Sequence, residues 1–374
     1  MKKIISRGSI VVVVTIMLFL SCSKSSNPET ETPSFDKTSM LTSYADNLII
    51  PAYQALQEKI NSLQTAANAF ADDPSSTTQN AVKTAYKEAH LQYERVEVFN
   101  FGPAVNSFLD LYTNFSGGLD YSFSQAGELT GFSVDSVSIE NNISTGNYDL
   151  TTYARNNFYA QGFPALNYLI FGPNAISKFE SNTASRVKYV KDVTARLKLL
   201  TDKVANDWTA YRSTFISNTK TDVGSPIGNL INQFAYQMDM MKGPRIGWPF
   251  GKQSNGIVFA TKSEAYFVGI SRELAGENAR NLKKAFSNNG NGKGISDYLV
   301  ALKHETLRND VMAQFDLVIA KIDAIPDPLS DSFTAQPALV ENAYKEIQKL
   351  LTLLKTDVAS ATGVQITFMD NDGD

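Results

Sequence analysis

Apolar residues recur at three- and four-residue steps along most of the chain, the spacing that places them on one face of an α-helix. Pro51 interrupts the first such run and predicts a kink there, because proline lacks a backbone N–H and its ring clashes with the preceding turn. A second helix is predicted from about 77 to 101, ended by Gly102 and Pro103. The first run, within 41–70, is made of Leu41, Ala45, Leu48, Ile49, Ala52, Leu56, Ile60 and Leu63.

The same periodicity predicts helices through most of the remaining sequence. The segment near 104–150 is rich in Gly, Ser and Asn, and it is predicted to be a long irregular insertion. Strand signals are almost absent, so the fold class is predicted to be all-α, packed as helical bundles. The further helices are predicted at about 151–171, 183–217, 226–241, 261–287, 295–324 and 336–358.

Two packed bundles are favoured over one, with residues 36–222 in an N-terminal bundle and residues 223–374 in a C-terminal bundle. The polar stretch TKTDVGSP, at 219–226, marks the boundary. A weak internal echo indicates duplication, because EVFNFG at 97–102 and EAYFVG at 264–269 share a Glu, an aromatic residue and a Gly in register.

The amino-acid composition limits the size of the fold and the classes of molecule that the protein can bind. The 374 residues are 43% hydrophobic and 19% charged, with a formal net charge of −4, which is enough apolar material for one large or two ordinary domains. No basic field or Lys/Arg cluster is present to gather phosphates, so nucleic acid is excluded as a partner.

The N-terminus is typical of an exported lipoprotein. Lys2, Lys3 and Arg7 precede an apolar run at 10–20 that is too short to span a bilayer, so residues 1–21 are predicted to be a signal peptide. Cys22, the only cysteine, follows this run and is the predicted lipidation site, and residues 22–35 form a flexible linker. We therefore expect a membrane-anchored protein of the cell envelope, periplasmic or at the outer membrane, without internal disulfides.

Five stretches carry a resemblance that covers nearly the whole mature chain. They are NLIIPAYQAL at 47–56, YERVEVFNFGP at 93–103, QGFPALNYLIFG at 161–172, KGPRIGWPFG at 242–251 and ASATGVQITFMDNDGD at 359–374. With these stretches in this order, the chain resembles the imelysin-like family. The resemblance implies an all-α fold of two bundles, export to the cell envelope and, in iron-regulated members, a part in iron or other metal uptake. Some members are labelled metallopeptidases, with a GxHxxE motif as the metal site.

The family motif is degenerate in this chain. Gly162 matches its glycine, but Pro164 stands in place of the histidine and Asn167 in place of the glutamate. Proline has no donor atom, and a neutral amide is a weak metal ligand. We therefore expect the segment to be kept as architecture, with Pro164 in the first turn of a helix that begins near Phe163. An acidic family stretch of the form IDxWP is matched only by Leu119 and Asp120.

Two other groups of residues are candidates for a polar cleft. His90, Glu94 and Glu97 lie at i, i+4 and i+7 on the second helix and would converge on one cation. The alternative is a solvated, ion-paired helix flank, with Glu97 buried separately against a partner element. Lys242, Arg245 and Trp248 are predicted to project from a rigid Gly- and Pro-rich loop, where they could dock an anion or another ligand or only join helices.

The remaining motifs carry little chemistry. His304 forms no HExxH motif and is predicted to be an exposed helix histidine, and no GxSxG elbow supports a Ser-His-Asp triad. Asp370, Asp372 and Asp374 are predicted to be a frayed acidic tail, since the Glu of a calcium loop is missing.

Three functions follow from these observations. The first is a non-enzymatic binding component of iron, metal or nutrient acquisition that acts with an outer-membrane receptor or transport protein. The second is a metallopeptidase, and the third is an envelope protein–protein interaction module. Catalysis is disfavoured because the motif ligands are missing. The sequence does not name the cargo, and iron or another divalent metal is one candidate.

Overall fold

Every regular element of the part of the chain that the computed structural model describes is a helix, as the sequence predicts. The described residues are 35–115, 134–181, 183–252 and 254–368. The expectations for the signal peptide, Cys22, Leu119, Asp120 and the terminal aspartates fall outside these ranges. None of the described helices combines the length and the apolar character needed to cross a membrane.

The helices are numbered in chain order. They are α1 Lys37–Tyr44, α2 Ile50–Asp72, α3 Ser76–Val96, α4 Pro103–Asn106, α5 Leu109–Thr113, α6 Ser136–Thr145, α7 Arg155–Tyr159, α8 Gly162–Phe171, α9 Ala175–Ser181, α10 Thr183–Ser217, α11 Pro226–Met240, α12 Trp248–Phe250, α13 Ser271–Phe286, α14 Ile295–Ala301, α15 Glu305–Asp323, α16 Leu329–Ala335, α17 Pro337–Thr352 and α18 Ala359–Thr362.

Local chemistry explains where the site-bearing helices start and stop. Pro51 lies in the first turn of α2, and the π-helical turn Ala45–Ile49 directly before it accommodates the missing backbone donor, so α1 and α2 run on almost continuously. The Ser75 hydroxyl caps α3 by accepting from the N–H of Thr78. The helix then tightens into a 3₁₀ turn, Glu97–Phe99, and Gly102 turns the chain with a φ of 55°.

Several predicted boundaries were wrong. The segment 104–150 is not wholly irregular, since α5 and the ten-residue α6 lie in it. The helix predicted for 261–287 begins only at Ser271, and residues 263–270 form turns. The helix predicted for 295–324 is interrupted at Lys303, whose φ of 68° is incompatible with a continuous helix.

The helices of the first half of the chain pack mainly on one another, as α2 lies against both α3 and α10. In the second half, α15 packs on α13 and α17, and α11 packs on α17. Helix α13 also packs on α3 and so joins the two groups through a continuous apolar core, and the described residues from 35 onward form one compact unit. The domain boundary near 222 stays a prediction.

Gly162 shows why α8 needs a glycine at its start. Its φ is 66°, and a Cβ atom there would lie 2.2 Å from the carbonyl oxygen of Thr113. The first residue of α8 therefore packs directly on the backbone at the C-terminal end of α5. This close approach fixes the position of Phe163 and Pro164 relative to the rest of the fold.

We predict that Gly162→Ala lowers the free energy of unfolding more than Gly146→Ala. Both glycines have positive φ, which costs an alanine about 1–2 kcal/mol, but no atom lies within 4 Å of a Cβ at Gly146. The clash with Thr113 adds about 1–3 kcal/mol at Gly162 only. Urea unfolding of the two variants measures the difference, and equal losses would show that the contact with Thr113 is not rigid.

Candidate functional site

His90 and Glu94 lie one turn apart on α3 and point into the protein. Their side chains are 1% and 0% exposed, so the alternative of a solvated flank was wrong for this pair. The imidazole of His90 stacks in parallel on the ring of Phe163 in α8, with centroids 4.2 Å apart. The degenerate motif segment therefore forms one wall of the pocket around His90.

Arg245 reaches the same region from the second half of the chain. It lies in the π-helical turn Met241–Gly247, all of whose residues are buried, so the prediction of a projecting loop was wrong. Glycine at 247 permits this wide turn, because a Cβ there would lie 2.2 Å from the carbonyl oxygen of Lys242. The guanidinium of Arg245 donates to Oε2 of Glu94 and to Oε2 of Glu97.

Glu264 completes the cluster, and sequence reasoning missed it as a site residue. It lies in the turns before α13, and its side chain is 6% exposed. Its Oε2 atom is 3.7 Å from Nε of Arg245, and its Oε1 atom is 3.3 Å from Nε2 of His90. Oε1 also accepts a 2.7 Å hydrogen bond from the amide of Asn114.

The internal echo in the sequence was the one signal that pointed to Glu264. The two echoed segments begin with Glu97 and Glu264, and both glutamates contact Arg245. Both segments end in a glycine with positive φ, 55° at Gly102 and 73° at Gly269. The internal duplication itself stays a prediction.

Two amide side chains hold the carboxylates in place. The Asn278 amide in α13 donates to Oε2 of Glu94 at 3.1 Å and to Oε2 of Glu97 at 3.0 Å. It also lies 3.4 Å from Oε1 of Gln237, whose own amide donates to the backbone carbonyl of Glu97. Helices α3, α11 and α13 thus all contribute to one buried polar network.

The network places three carboxylates around one guanidinium. Burial raises the pKa of Glu97 to about 7 and that of Glu94 well above its usual range, with Arg245 opposing both shifts. Burial acts in the same direction on Glu264, but Arg245, His90 and Asn114 outweigh it and lower the Glu264 pKa to about 2. Of the three carboxylates, Glu264 is therefore the one that stays charged, while Glu94 and Glu97 bind protons readily.

The two basic groups respond in opposite ways to this environment. Burial lowers the pKa of His90, with Glu264 opposing, so the imidazole is neutral at neutral pH. Burial would also lower the pKa of Arg245, but the carboxylates Glu264, Glu94 and Glu97 raise it well above its ordinary value. Arg245 is thus the fixed positive charge of the cluster, and the imidazole of His90 is uncharged.

A small cavity of about 30 Å³ opens beside His90 and Glu264, and Pro164 and Asn167 also line it. The two degenerate motif positions therefore face the same space as the polar cluster. Oδ1 of Asn167 accepts a 3.0 Å hydrogen bond from the N–H of Val268. Asn167 consequently ties α8 to the turns that carry Glu264. As predicted, Pro164 lies in the first turn of α8.

Three donor groups converge beside this cavity. One ligand atom each from His90, Glu94 and Glu264 lies within 4.8 Å of the others, and no other group of this kind occurs among the described residues. Glu97, expected to be the third ligand, instead faces Arg245. Lys242 and Trp248 are buried but line neither this cavity nor the larger one described below, and His304 is exposed before α15.

Comparison with known proteins gives a consistent result. The family model described as Imelysin matches residues 49–356. A curated relative, Iron-regulated protein A of Synechococcus elongatus, is 20% identical over 300 residues, which cover 78% of this chain and 77% of that protein.

Two solved structures share the fold. An imelysin-like protein from Psychrobacter arcticum 273-4 superimposes with a TM-score of 0.68 at 18% identity. A protein from Parabacteroides distasonis, described as an iron-regulated protein A precursor, superimposes with a TM-score of 0.71 at 17% identity. Each match covers 89% of this chain and 97% of the other.

We predict that Glu97→Gln flattens the pH dependence of stability. The folded-state pKa of Glu97, about 7, lies above the ordinary value of 4.5, so the folded state holds this proton more tightly. Its contribution is fully present below pH 4.5 and is lost as the pH rises to about 7. In a chelator-containing buffer, the wild-type free energy of unfolding should fall by about 1–3 kcal/mol more than that of the variant over this interval.

The matched control is Glu88→Gln, because the side chain of Glu88 is 50% exposed and pairs only at the surface with Lys59. Urea unfolding from pH 4.5 to 8 should give a Glu88→Gln curve parallel to the wild type. If the Glu97→Gln curve is also parallel, Glu97 does not bind its proton more tightly in the folded protein.

Proposed function

Because the chain belongs to the imelysin family, we propose that it is a cell-envelope protein that binds a divalent transition-metal ion, with iron as the leading candidate, and that it does not catalyse a reaction. The observation that carries this proposal is that each carboxylate, Glu94 and Glu264, directs one oxygen to Arg245 and the other to His90. Oε2 of each carboxylate faces Arg245, and Oε1 of each faces Nε2 of His90.

The spacing of these atoms suits a coordination sphere. Nε2 of His90 is 3.7 Å from Oε1 of Glu94 and 3.3 Å from Oε1 of Glu264. Metal bonds of about 2.0–2.2 Å in tetrahedral geometry place neighbouring donors roughly 3.3–3.6 Å apart. Nδ1 of His90 and Oε1 of Glu94 are buried and make no hydrogen bond with a described residue, and Nε2 of His90 has only its 3.3 Å contact with Glu264 and its longer one with Glu94. Buried polar atoms without partners are costly, and a cation would satisfy them.

The donor set favours a transition metal. A neutral imidazole with two carboxylates suits iron, zinc, copper or nickel, whereas calcium takes six to eight oxygen ligands. The charges are compatible with the same assignment, because Arg245 balances the charged Glu264 while Glu94 and Glu97 bind protons readily. A dication would displace a proton from Glu94 and neutralise the carboxylate that this leaves.

The space at the site supports binding rather than turnover. A cavity of about 30 Å³ has room for one or two water molecules beside the ion but not for a peptide backbone. Ligand pockets that hold organic substrates measure about 300–1,000 Å³. Among the described residues, the three donors thus adjoin no cavity large enough for a peptide substrate, which disfavours the metallopeptidase alternative.

The place of action is also part of the proposal. The basic N-terminus, the apolar run at 10–20 and Cys22 support export and lipid anchoring. An anchored cation-binding protein would pass its cargo to or from an outer-membrane receptor or transport protein. The cyanobacterial relative carries iron regulation in its name, which supports iron as the first metal to test.

We predict that the chelator-treated protein binds Fe²⁺, under anaerobic conditions, or Zn²⁺ with a dissociation constant at or below about 10⁻⁶ M. His90→Gln and Glu264→Gln should each weaken binding at least tenfold, because each removes a ligand. Isothermal titration calorimetry gives the constants, and metal at about 100 times the dissociation constant should stabilise the fold by about 2.7 kcal/mol.

The control variant is His304→Gln, whose side chain is exposed and lies outside the cluster. It should bind as the wild type does. If no divalent metal binds better than micromolar, or if His90→Gln binds normally, the proposed site is wrong. Peptide hydrolysis that is lost on chelation would favour the metallopeptidase instead.

We further predict that the double substitution Pro164→His and Asn167→Glu raises metal affinity at least tenfold. Both positions line the cavity beside His90, and a Glu at 167 can still accept from Val268. The variant would add the two ligands that the family motif provides. Calorimetry against the same metals measures the gain, and an unchanged affinity would show that the two positions are too far from the bound ion.

A further inference from the structure

A second and larger cavity, of about 320 Å³, adjoins the Arg245 cluster and has no role in the proposed metal site. Its volume is within the range of pockets that hold small organic molecules. Glu97 and Arg245 lie at one side of it, and Asp110 of α5 lies in its wall.

Asp110 supplies a carboxylate whose neighbouring groups are neutral. Burial raises the pKa of Asp110, and the neighbouring Leu111 backbone N–H, the Asn100 side-chain amide and the backbone N–H of Asp110 itself oppose this shift. Asn100 is 9% exposed and lines the same cavity, and its Oδ1 atom accepts no hydrogen bond from any described residue. The cavity therefore presents a carboxylate and an unused amide oxygen, both hydrogen-bond acceptors.

Aromatic rings form the rest of the cavity wall. Phe108 and Tyr153 are 45% and 60% exposed, and their ring centroids are 5.1 Å apart. Phe108 has a φ of 51°, a left-handed conformation that costs a bulky residue about 1–3 kcal/mol and that is most often kept at functional sites. Tyr93 and Tyr236 continue the aromatic surface inside the cavity.

We propose that this cavity binds a small organic cation, an amine or guanidinium compound with an apolar body. The cationic group would donate to Asp110 and Oδ1 of Asn100, while the body would lie against Phe108 and Tyr153. Arg245, the basic residue of the wall, is paired with Glu97, so Asp110 is left without a basic partner among the described residues. Aromatic faces attract cations and so favour the same class of ligand.

A bare metal ion fits this cavity less well than an organic cation does. The Asp110 wall offers a single carboxylate, whereas a metal site gathers several close donors. The aromatic rings attract a cation appreciably only if it loses its hydration shell and is large enough to contact them. The inference does not depend on the metal site, because neither Asp110 nor Asn100 belongs to it.

The test is calorimetric titration of the full chain in EDTA with tyramine, with 4-ethylphenol as its uncharged analogue and 3-(4-hydroxyphenyl)propionate as its anionic analogue. We expect tyramine to bind with a dissociation constant below about 1 mM. Both analogues should bind at least tenfold more weakly. Asp110→Asn should weaken tyramine binding at least tenfold, and Phe108→Ala should weaken it about three- to tenfold.

Asp207→Asn serves as the control, since Asp207 pairs with Lys203 at the surface and should leave tyramine binding unchanged. Thermal unfolding followed by circular dichroism establishes that each variant is folded. If Asp110→Asn does not fold, the two analogues still test the charge requirement on the wild type. Equal binding of tyramine and 4-ethylphenol, stronger binding of the anion, or no binding of tyramine would each overturn the proposal.

Discussion

The structure depends on one buried guanidinium. Arg245 lies among three carboxylates from two parts of the chain, and all four groups are nearly or fully removed from water. Taking such charges out of water is unfavourable unless each has a partner, so the elements that carry them must meet closely. Helix α3, the π-helical turn after α11 and the turns before α13 are therefore fixed relative to one another by charge as well as by apolar packing.

This constraint explains how a degenerate motif can coexist with the proposed metal site. The helix that carries Pro164 and Asn167 no longer offers motif ligands, but it still supplies the stacking surface for His90 and the hydrogen bond that positions the turns around Glu264. The donors that remain come from α3 and from those turns. The motif segment can thus keep its structural role while the donor atoms come from neighbouring elements.

The sequence predicts the helices that bury a regular apolar stripe, and α10 matches its predicted range of 183–217. It also predicts the His90–Glu94 pair, since residues four apart on a helix share a face. It does not predict that this face is buried, because the covering elements are far along the chain. Glu264 and Arg245 lie in turns whose shapes depend on glycine and proline contacts, so no periodic pattern marks where their side chains point.

The hydrogen bond between Arg245 and Glu94 joins residues 151 positions apart. Closing so long a loop costs conformational entropy that local helix formation does not repay, and non-local contacts of this kind slow folding. The polar cluster can therefore assemble only after α3, α11 and α13 have docked, while its members keep their hydration shells until then. Completion of the cluster is thus expected to coincide with the last docking step of the folding reaction, after the local helices have formed.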